Sequence, residues 1–171
     1  MGVGRLLLRS VIGGLFIGHG TQKLFGWFGG GGLGATGEGF EAIGLAPGRR
    51  NALVAGLAES GGGTLLALGL ATPLAEAVLI SVMLTAIRTV HWKNGPWATN
   101  GGYEYNVVLI SALLGLAEVG PGGWSLDRAL GIERAGLVWT AAAAACGAAG
   151  SLAATAAAQP AGDGATEPEV A

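Results

Sequence analysis

Long apolar runs, separated by short breaks that contain glycine and proline, follow one another along most of the chain. At about 1.5 Å per helical residue, each of the first four runs would cross most of a bilayer core about 30 Å thick. We therefore predict four membrane-spanning helices, at about 6–28, 51–70, 73–92 and 103–119. Thr72 and Pro73 are typical of a helix cap followed by proline at the first helical position. Since few residues join the second and third runs, these two helices should form an antiparallel hairpin.

Three further segments lie outside these runs. Residues 36–44 and 125–132 carry apolar side chains on one helical face and charged ones on the other, which is typical of short interfacial helices. Residues 137–158 are uncharged, alanine-rich and long enough for a fifth span, with a surface helix or a poorly ordered arm as the alternative. The predicted organisation is a four-helix domain at 1–134, a fifth helix at 135–158 and a disordered tail at 159–171.

The composition agrees with a lipid environment. Hydrophobic residues make up 51% of the chain and charged residues 12%, whereas soluble domains carry about 25% charged residues. The net charge of −2 gives no electrostatic basis for binding nucleic acid, and the single cysteine, Cys146, excludes an intramolecular disulfide. The predicted fold class is all-α: an integral membrane helix bundle of four spans plus a fifth, alanine-rich C-terminal helix.

Polar residues inside the predicted spans concentrate in one layer. Ionisable groups are costly inside a membrane, so each needs a partner or a function. Because consecutive spans run in opposite directions, eight candidate site residues fall near the same membrane face: His19, Gln22, Lys23, Glu59, Arg88, His91, Tyr103 and Glu104. The opposite half of the bundle has almost no polar groups apart from Arg9 and Glu76.

This polar layer has a functional and a structural interpretation. The functional one is a binding site for a partly apolar ligand with a polar head, such as a quinone, or a proton path. The structural one is a network that locks the bundle, with Glu59 paired to Arg88 and His91 bonded to Glu104. His19, His91, Glu59 and Glu104 are also suitable metal ligands, but their spacing forms no recognised motif, so we predict no metal site.

Two glycine motifs carry less information than they suggest. The run from Gly32 to Gly37 matches the GxGxxG pattern, but it follows a membrane helix and opens no βαβ unit, which argues against nucleotide binding. Gly14 and Gly18 match the GxxxG helix-packing pattern, which is equally compatible with contacts inside the monomer and with a homo-oligomer. Cys146, in an alanine run, is predicted to be inert.

Several short motifs, taken in order, resemble the DoxX family. Leu7-Leu8-Arg9 opens the first span, and the run from His19 to Gly30, with sequence HGTQKLFGWFGG, closes it. The later motifs are Glu59 before Gly61-Gly62, Thr89-Val90-His91, Gly101-Gly102-Tyr103-Glu104-Tyr105, and Gly122-Gly123-Trp124-Ser125-Leu126-Asp127. The resemblance covers roughly residues 4–131. It implies a four-helix, multi-pass protein of the bacterial plasma membrane, of a kind commonly labelled putative oxidoreductases and associated with quinones and with soluble sulfur- or superoxide-handling enzymes.

Two functions follow. In the first, the chain is the membrane subunit of a redox system and binds a quinone, its one suggested cofactor. His19, Glu59 and His91 would act as catalytic proton carriers. Arg88 would stabilise negative charge, and Lys23, Gln22, Tyr103 and Glu104 would contact the ligand. Electrons would come from a partner or a bound substrate. In the second, the chain is a non-catalytic anchor that recruits soluble redox or sulfur-metabolism enzymes, with lipid as its other partner.

Overall fold

A computed structural model describes residues 2–158, which form helices and no strand. The α-helices are α1 (Val3–Phe25), α2 (Gly32–Ala42), α3 (Gly48–Leu68), α4 (Thr72–Ala86), α5 (Glu104–Val119), α6 (Leu126–Ala129) and α7 (Leu137–Ala156). A π-helical turn, Ile87–His91, continues α4 directly. Three short 3₁₀ turns lie in the connections: Trp27–Gly29 after α1, and Trp92–Asn94 and Ala98–Asn100 between the π-helical turn and α5. The five long helices alternate in direction along the chain.

The predicted fold class is confirmed, and α1, α3, α4 and α5 lie within a few residues of the four predicted spans. The helix expected at 36–44 begins earlier, because the glycine-rich segment from Gly32 is itself helical. The helix expected at 125–132 is only four residues long, and Ser125 caps it by accepting a hydrogen bond from the Arg128 amide. The tail predicted at 159–171 lies outside the described residues.

Two helical stretches of the described chain are long and apolar enough to cross a membrane by length and composition. They are Thr72–Asn94, with 23 residues and a mean hydropathy of 1.6, and Leu137–Ala156, with 20 residues and 1.5. The second is the alanine-rich helix α7, which packs along α4 rather than forming a separate arm: a Cβ added to Gly147 would lie 2.5 Å from a side-chain carbon of Ile80. Large apolar side chains such as Val11 and Leu57 remain exposed on the outer faces of α1 and α3, as expected for a surface that meets lipid.

Helices α1 and α3 approach so closely that only glycine fits along much of their contact. A Cβ on Gly13 would lie 2.5 Å from the Gly63 carbonyl oxygen, and one on Gly63 would lie 2.6 Å from the Gly13 carbonyl oxygen. About two helical turns further along α1, a Cβ on Gly20 would lie 2.6 Å from the Gly56 carbonyl oxygen. Small residues permit such backbone contact in membranes, where van der Waals packing replaces the hydrophobic effect between helices.

The neighbouring glycines of the GxxxG pattern have a different position. A Cβ on Gly14 or Gly18 would meet no atom of another element within 4 Å in the described structure. The interpretation of this motif as a contact inside the monomer is therefore wrong, because the motif lies on the outer face of α1. A homo-oligomer stays a prediction.

A buried polar cluster closes the end of the bundle opposite the predicted polar layer. Arg9 is fully buried and donates to the carbonyl oxygens of Leu66 at 3.1 Å and Ala67 at 2.9 Å, the last turn of α3, and to that of Trp124 at 2.6 Å. Asp127 accepts from the amides of Ala71 at 2.7 Å and Thr72 at 2.9 Å, at the first turn of α4. A cation thus satisfies one helix C-terminus and an anion the next N-terminus, as the free backbone groups and helix dipoles require.

Sequence reasoning underestimated this cluster. The amphipathic pattern of residues 125–132 predicts that Asp127 lies on an exposed polar face, but its side chain is buried, with 1% exposure. Thr72 does not cap α4 as predicted: its hydroxyl donates to Asp127, and the cap residue is Ala71. Glu76 is fully buried, and neither of its carboxyl oxygens has a hydrogen-bond partner among residues 2–158.

Replacing Gly13 by alanine should destabilise the bundle by about 1–3 kcal/mol, the usual cost of overpacking a close contact. Gly14→Ala is the matched control, since its Cβ enters open space and alanine favours a helix over glycine by about 1 kcal/mol. Thermal unfolding of both variants in the same detergent measures the difference. Equal midpoints for the two variants would contradict the described α1–α3 contact.

Replacing Asp127 by alanine should lower the free energy of unfolding by about 3 kcal/mol or more, because hydrogen bonds to a charged group contribute about 1.5–3 kcal/mol each. Glu133→Gln is the control: it breaks the exposed Arg128–Glu133 ion pair, and such pairs contribute little. Denaturation in mixed detergent micelles compares them. If Glu133→Gln were the more damaging change, the capping role of Asp127 would be refuted.

Candidate functional site

An open cavity of about 770 Å³ lies between the helices. Its walls are mostly apolar and come from α1 to α5 and α7, with Phe16, Val78 and Leu109 among them. Four of the eight predicted site residues line it: His19, Lys23, Glu59 and His91. The volume is within the range of about 300–1,000 Å³ that is typical of small-molecule sites. Such sites also have mostly apolar walls with a few polar groups.

Lys23 and Glu59 form an ion pair in the cavity wall. The Lys23 Nζ lies 2.7 Å from the Glu59 Oε2, and the two side chains are 23% and 5% exposed. Lys23 also donates to the carbonyl oxygen of His19 at 3.4 Å. The alternative prediction of a Glu59–Arg88 pair is therefore wrong. Glu59 lies on the face of α3 that packs against α1, so Lys23 of α1 reaches it.

His19 is oriented by the residue one turn further along α1. Its Nδ1 lies 3.1 Å from the Gln22 Oε1, and the Gln22 amide nitrogen donates to the Phe28 carbonyl oxygen at 3.3 Å. Gln22 does not line the main cavity. It borders a shallow groove on the outer side of α1, beside Gly18 and Phe28, and His19 borders this groove as well as the cavity.

His91 ends the π-helical turn that follows α4. π-Turns inside α-helices occur frequently at functional sites because they change the direction of the side chains that follow. The His91 Nδ1 lies 2.7 Å from the Gly101 carbonyl oxygen. The predicted His91–Glu104 hydrogen bond is wrong: Glu104 instead accepts from the Ala98 amide at 2.9 Å and stabilises the loop before α5.

The remaining predicted site residues have contacts elsewhere and do not line the cavity. The Arg88 Nη1 donates to the Ser151 carbonyl oxygen at 3.3 Å, which joins the end of α4 to α7. The Tyr103 ring stacks on Trp92, with centroids 5.6 Å apart and an interplanar angle of 16°. No group of three or more histidine, cysteine, aspartate or glutamate side chains in residues 2–158 could hold a metal ion.

Sequence reasoning missed several polar residues of the cavity wall, namely Asn51, Ser81, Thr85, Thr89, Tyr105 and Asn106. Asn106 is 5% exposed, and its Nδ2 donates to the Met83 sulfur at 3.4 Å. An amide inside an otherwise apolar span is a signal that could have identified it. Cys146, predicted to be inert, also borders the cavity.

The cavity wall thus combines two groups that can exchange protons with an ion pair. Two imidazoles lie in it, from α1 and from the end of α4, together with the Lys23–Glu59 pair. Such an arrangement can hydrogen-bond a polar head group while the apolar wall contacts a hydrocarbon portion.

A double-mutant cycle should detect coupling between Lys23 and Glu59 and none between Arg88 and Glu59. Lys23→Gln and Glu59→Gln should each destabilise by up to about 3 kcal/mol, since removing one member of a buried pair leaves the other uncompensated. The double variant should cost less than the sum. Thermal unfolding in detergent measures each step. Coupling of Glu59 to Arg88 instead would contradict the geometry described above.

The comparisons with known proteins agree with this architecture. The DoxX family model matches residues 4–92, which is more than half of the 171-residue chain. The matched region includes α1 to α4 and therefore His19, Lys23, Glu59 and His91, whereas α5 and α7 lie beyond it. No curated protein sequence and no solved structure matches the chain. The chain belongs to the DoxX family, a family of membrane-associated proteins.

Proposed function

We propose that this protein is the membrane subunit of a redox system and that its cavity binds a quinone. The observation that supports this proposal is the meeting of two imidazoles and the Lys23–Glu59 pair in an otherwise apolar cavity of about 770 Å³. A quinone has the matching form, with a polar head and an apolar tail. The apolar surface of the bundle and its family place it in a membrane, which we propose is the bacterial plasma membrane.

The assignment of roles differs from the one based on sequence alone. His19 and His91 are the proton carriers, because both line the cavity and each has one ring nitrogen engaged by the protein. Lys23 takes the place of Arg88 as the cation that stabilises negative charge on a head group, since Arg88 is bonded to α7. Glu59 holds Lys23 at 2.7 Å and keeps that charge balanced when the cavity is empty.

Electrons have to come from outside the chain under this proposal. A soluble partner or a second substrate would deliver them to the quinone, and the residues described here would bind, orient and exchange protons. The bundle end that contains the 3₁₀ turns Trp27–Gly29 and Trp92–Asn94 is the nearest surface for such a partner. Its exposed Trp27, Trp92 and Trp97 suit the membrane interface.

Protein purified in a mild detergent should retain quinone, detectable by mass spectrometry of an organic extract. His19→Phe and His91→Phe should each lower the retained amount of quinone plus hydroquinone by about tenfold, corresponding to about 1.4 kcal/mol for a lost hydrogen bond to the head group. Glu104→Gln is the matched control, because Glu104 belongs to the predicted polar layer but does not line the cavity. Circular dichroism and thermal unfolding confirm that each variant is folded.

Equal quinone content in the histidine variants and in Glu104→Gln would overturn the proposed site. Folded wild-type protein that retains no quinone and binds none when it is added would overturn the proposed ligand. The chain would then be better explained as a non-catalytic anchor for soluble enzymes, and co-purification of partner proteins would be the next measurement.

A further inference from the structure

The hydrogen bonds of the two histidines fix which ring nitrogen carries the proton. A neutral imidazole has one N–H donor and one acceptor nitrogen, and the partner of one nitrogen determines the tautomer. A carbonyl oxygen can only accept. The His91 Nδ1 lies 2.7 Å from the Gly101 carbonyl oxygen, so the Nδ1 must be the protonated nitrogen.

His19 is fixed in the same way through Gln22. The amide group of Gln22 faces the Phe28 carbonyl oxygen on one side and the His19 Nδ1 on the other. Only the amide nitrogen can donate to Phe28, at 3.3 Å, so the amide oxygen faces the imidazole at 3.1 Å. The His19 Nδ1 therefore also carries the proton.

Both neutral imidazoles consequently keep an unprotonated Nε2 with a free lone pair. Neither Nε2 has a hydrogen-bond partner among residues 2–158, and both histidines border the cavity. Two donors of the cavity wall, by contrast, already donate within the protein. Lys23 donates to Glu59 and to the His19 carbonyl oxygen, and the Asn106 amide donates to Met83. The two Nε2 atoms therefore add acceptors to the site.

We propose that the cavity preferentially binds the hydroxyl-bearing, reduced form of its ligand, a hydroquinone, over the corresponding quinone. This inference rests on the proposed function and adds the redox form to it. A hydroquinone hydroxyl donates to an unprotonated Nε2, whereas a quinone carbonyl oxygen and the same Nε2 are both acceptors and cannot pair. The preference is one of binding, in which no electron is transferred. Gln22, which lies outside the cavity, is a positioning residue for His19.

The first test is of the tautomers and needs no ligand. The chain contains two histidines, so protein labelled with ¹⁵N-histidine gives a simple imidazole spectrum. At an alkaline pH where the spectrum shows neutral rings, both should be Nδ1–H tautomers. A predominant Nε2–H tautomer at both positions would overturn the inference without affecting the proposed function.

The second test compares three probes with one decyl tail, under anaerobic conditions and at the same pH: a 1,4-benzohydroquinone, its quinone and its dimethyl ether. The hydroquinone should bind about tenfold more tightly than the quinone, as expected for about 1.4 kcal/mol. The ether, which cannot donate, should bind no better than the quinone. Equal or tighter binding of the quinone would overturn the preference while leaving the proposed quinone site intact. Binding of none of the three probes would refute the proposed function and the inference together.

Two substitutions of Gln22 separate the tautomer effect from a structural one. Gln22→Leu removes the acceptor that fixes the His19 tautomer and should reduce the hydroquinone-to-quinone preference severalfold, with binding of the dimethyl ether unchanged. Gln22→Glu restores an acceptor for the Nδ1 proton and should restore the preference at a pH where the ¹⁵N spectrum shows a neutral His19 ring. A ratio unchanged in Gln22→Leu would contradict the positioning role of Gln22.

Discussion

The close backbone contact between α1 and α3 determines where the other functional groups lie. Gly13 and Gly20 leave room for the α3 backbone, and the same face of α1 carries Arg9 before them and Lys23 after them. Arg9 therefore reaches the last turn of α3, and Lys23 reaches Glu59 from the other end. Bulkier residues at this contact would move α1 and α3 apart and would lengthen the distances from Arg9 to the end of α3 and from Lys23 to Glu59. The packing of two helices thus places one cation at a helix terminus and another in the cavity wall.

The two polar clusters of the bundle differ in how completely the protein satisfies them. Arg9 donates three hydrogen bonds to carbonyl oxygens, and Asp127 accepts from two amides and a hydroxyl, whereas the Arg9 Nε and both Glu76 carboxyl oxygens have no partner among residues 2–158. Groups satisfied in this way stabilise helix ends and have little capacity left for a ligand. His19 and His91 border the cavity, and each has one engaged ring nitrogen and one without a hydrogen-bond partner among residues 2–158.

The sequence predicts the spans and the depth of the polar layer, because apolar run length and alternating helix direction determine both. His19, Lys23, Glu59 and His91 consequently share one cavity, as their predicted depths suggest. Rotation about each helix axis and the order of helices around the bundle depend on packing contacts distant in sequence. For that reason Glu59 pairs with Lys23 rather than Arg88, and Gln22 lies outside the cavity. The role of Asp127 could not be predicted from the sequence either, because a helix of four residues is too short to give a periodic pattern.

The cavity is assembled from two parts of the chain with different relations to the family. The segment matched by the family model, residues 4–92, supplies both imidazoles and the Lys23–Glu59 pair. The segment beyond residue 92 supplies Asn106 and Tyr105 from α5 and Cys146 from α7. Arg88 connects the two parts, because its bond to Ser151 holds α7 against the end of α4. The two imidazoles and the ion pair therefore come from the part that the family model matches, while α5 and α7 complete the cavity wall.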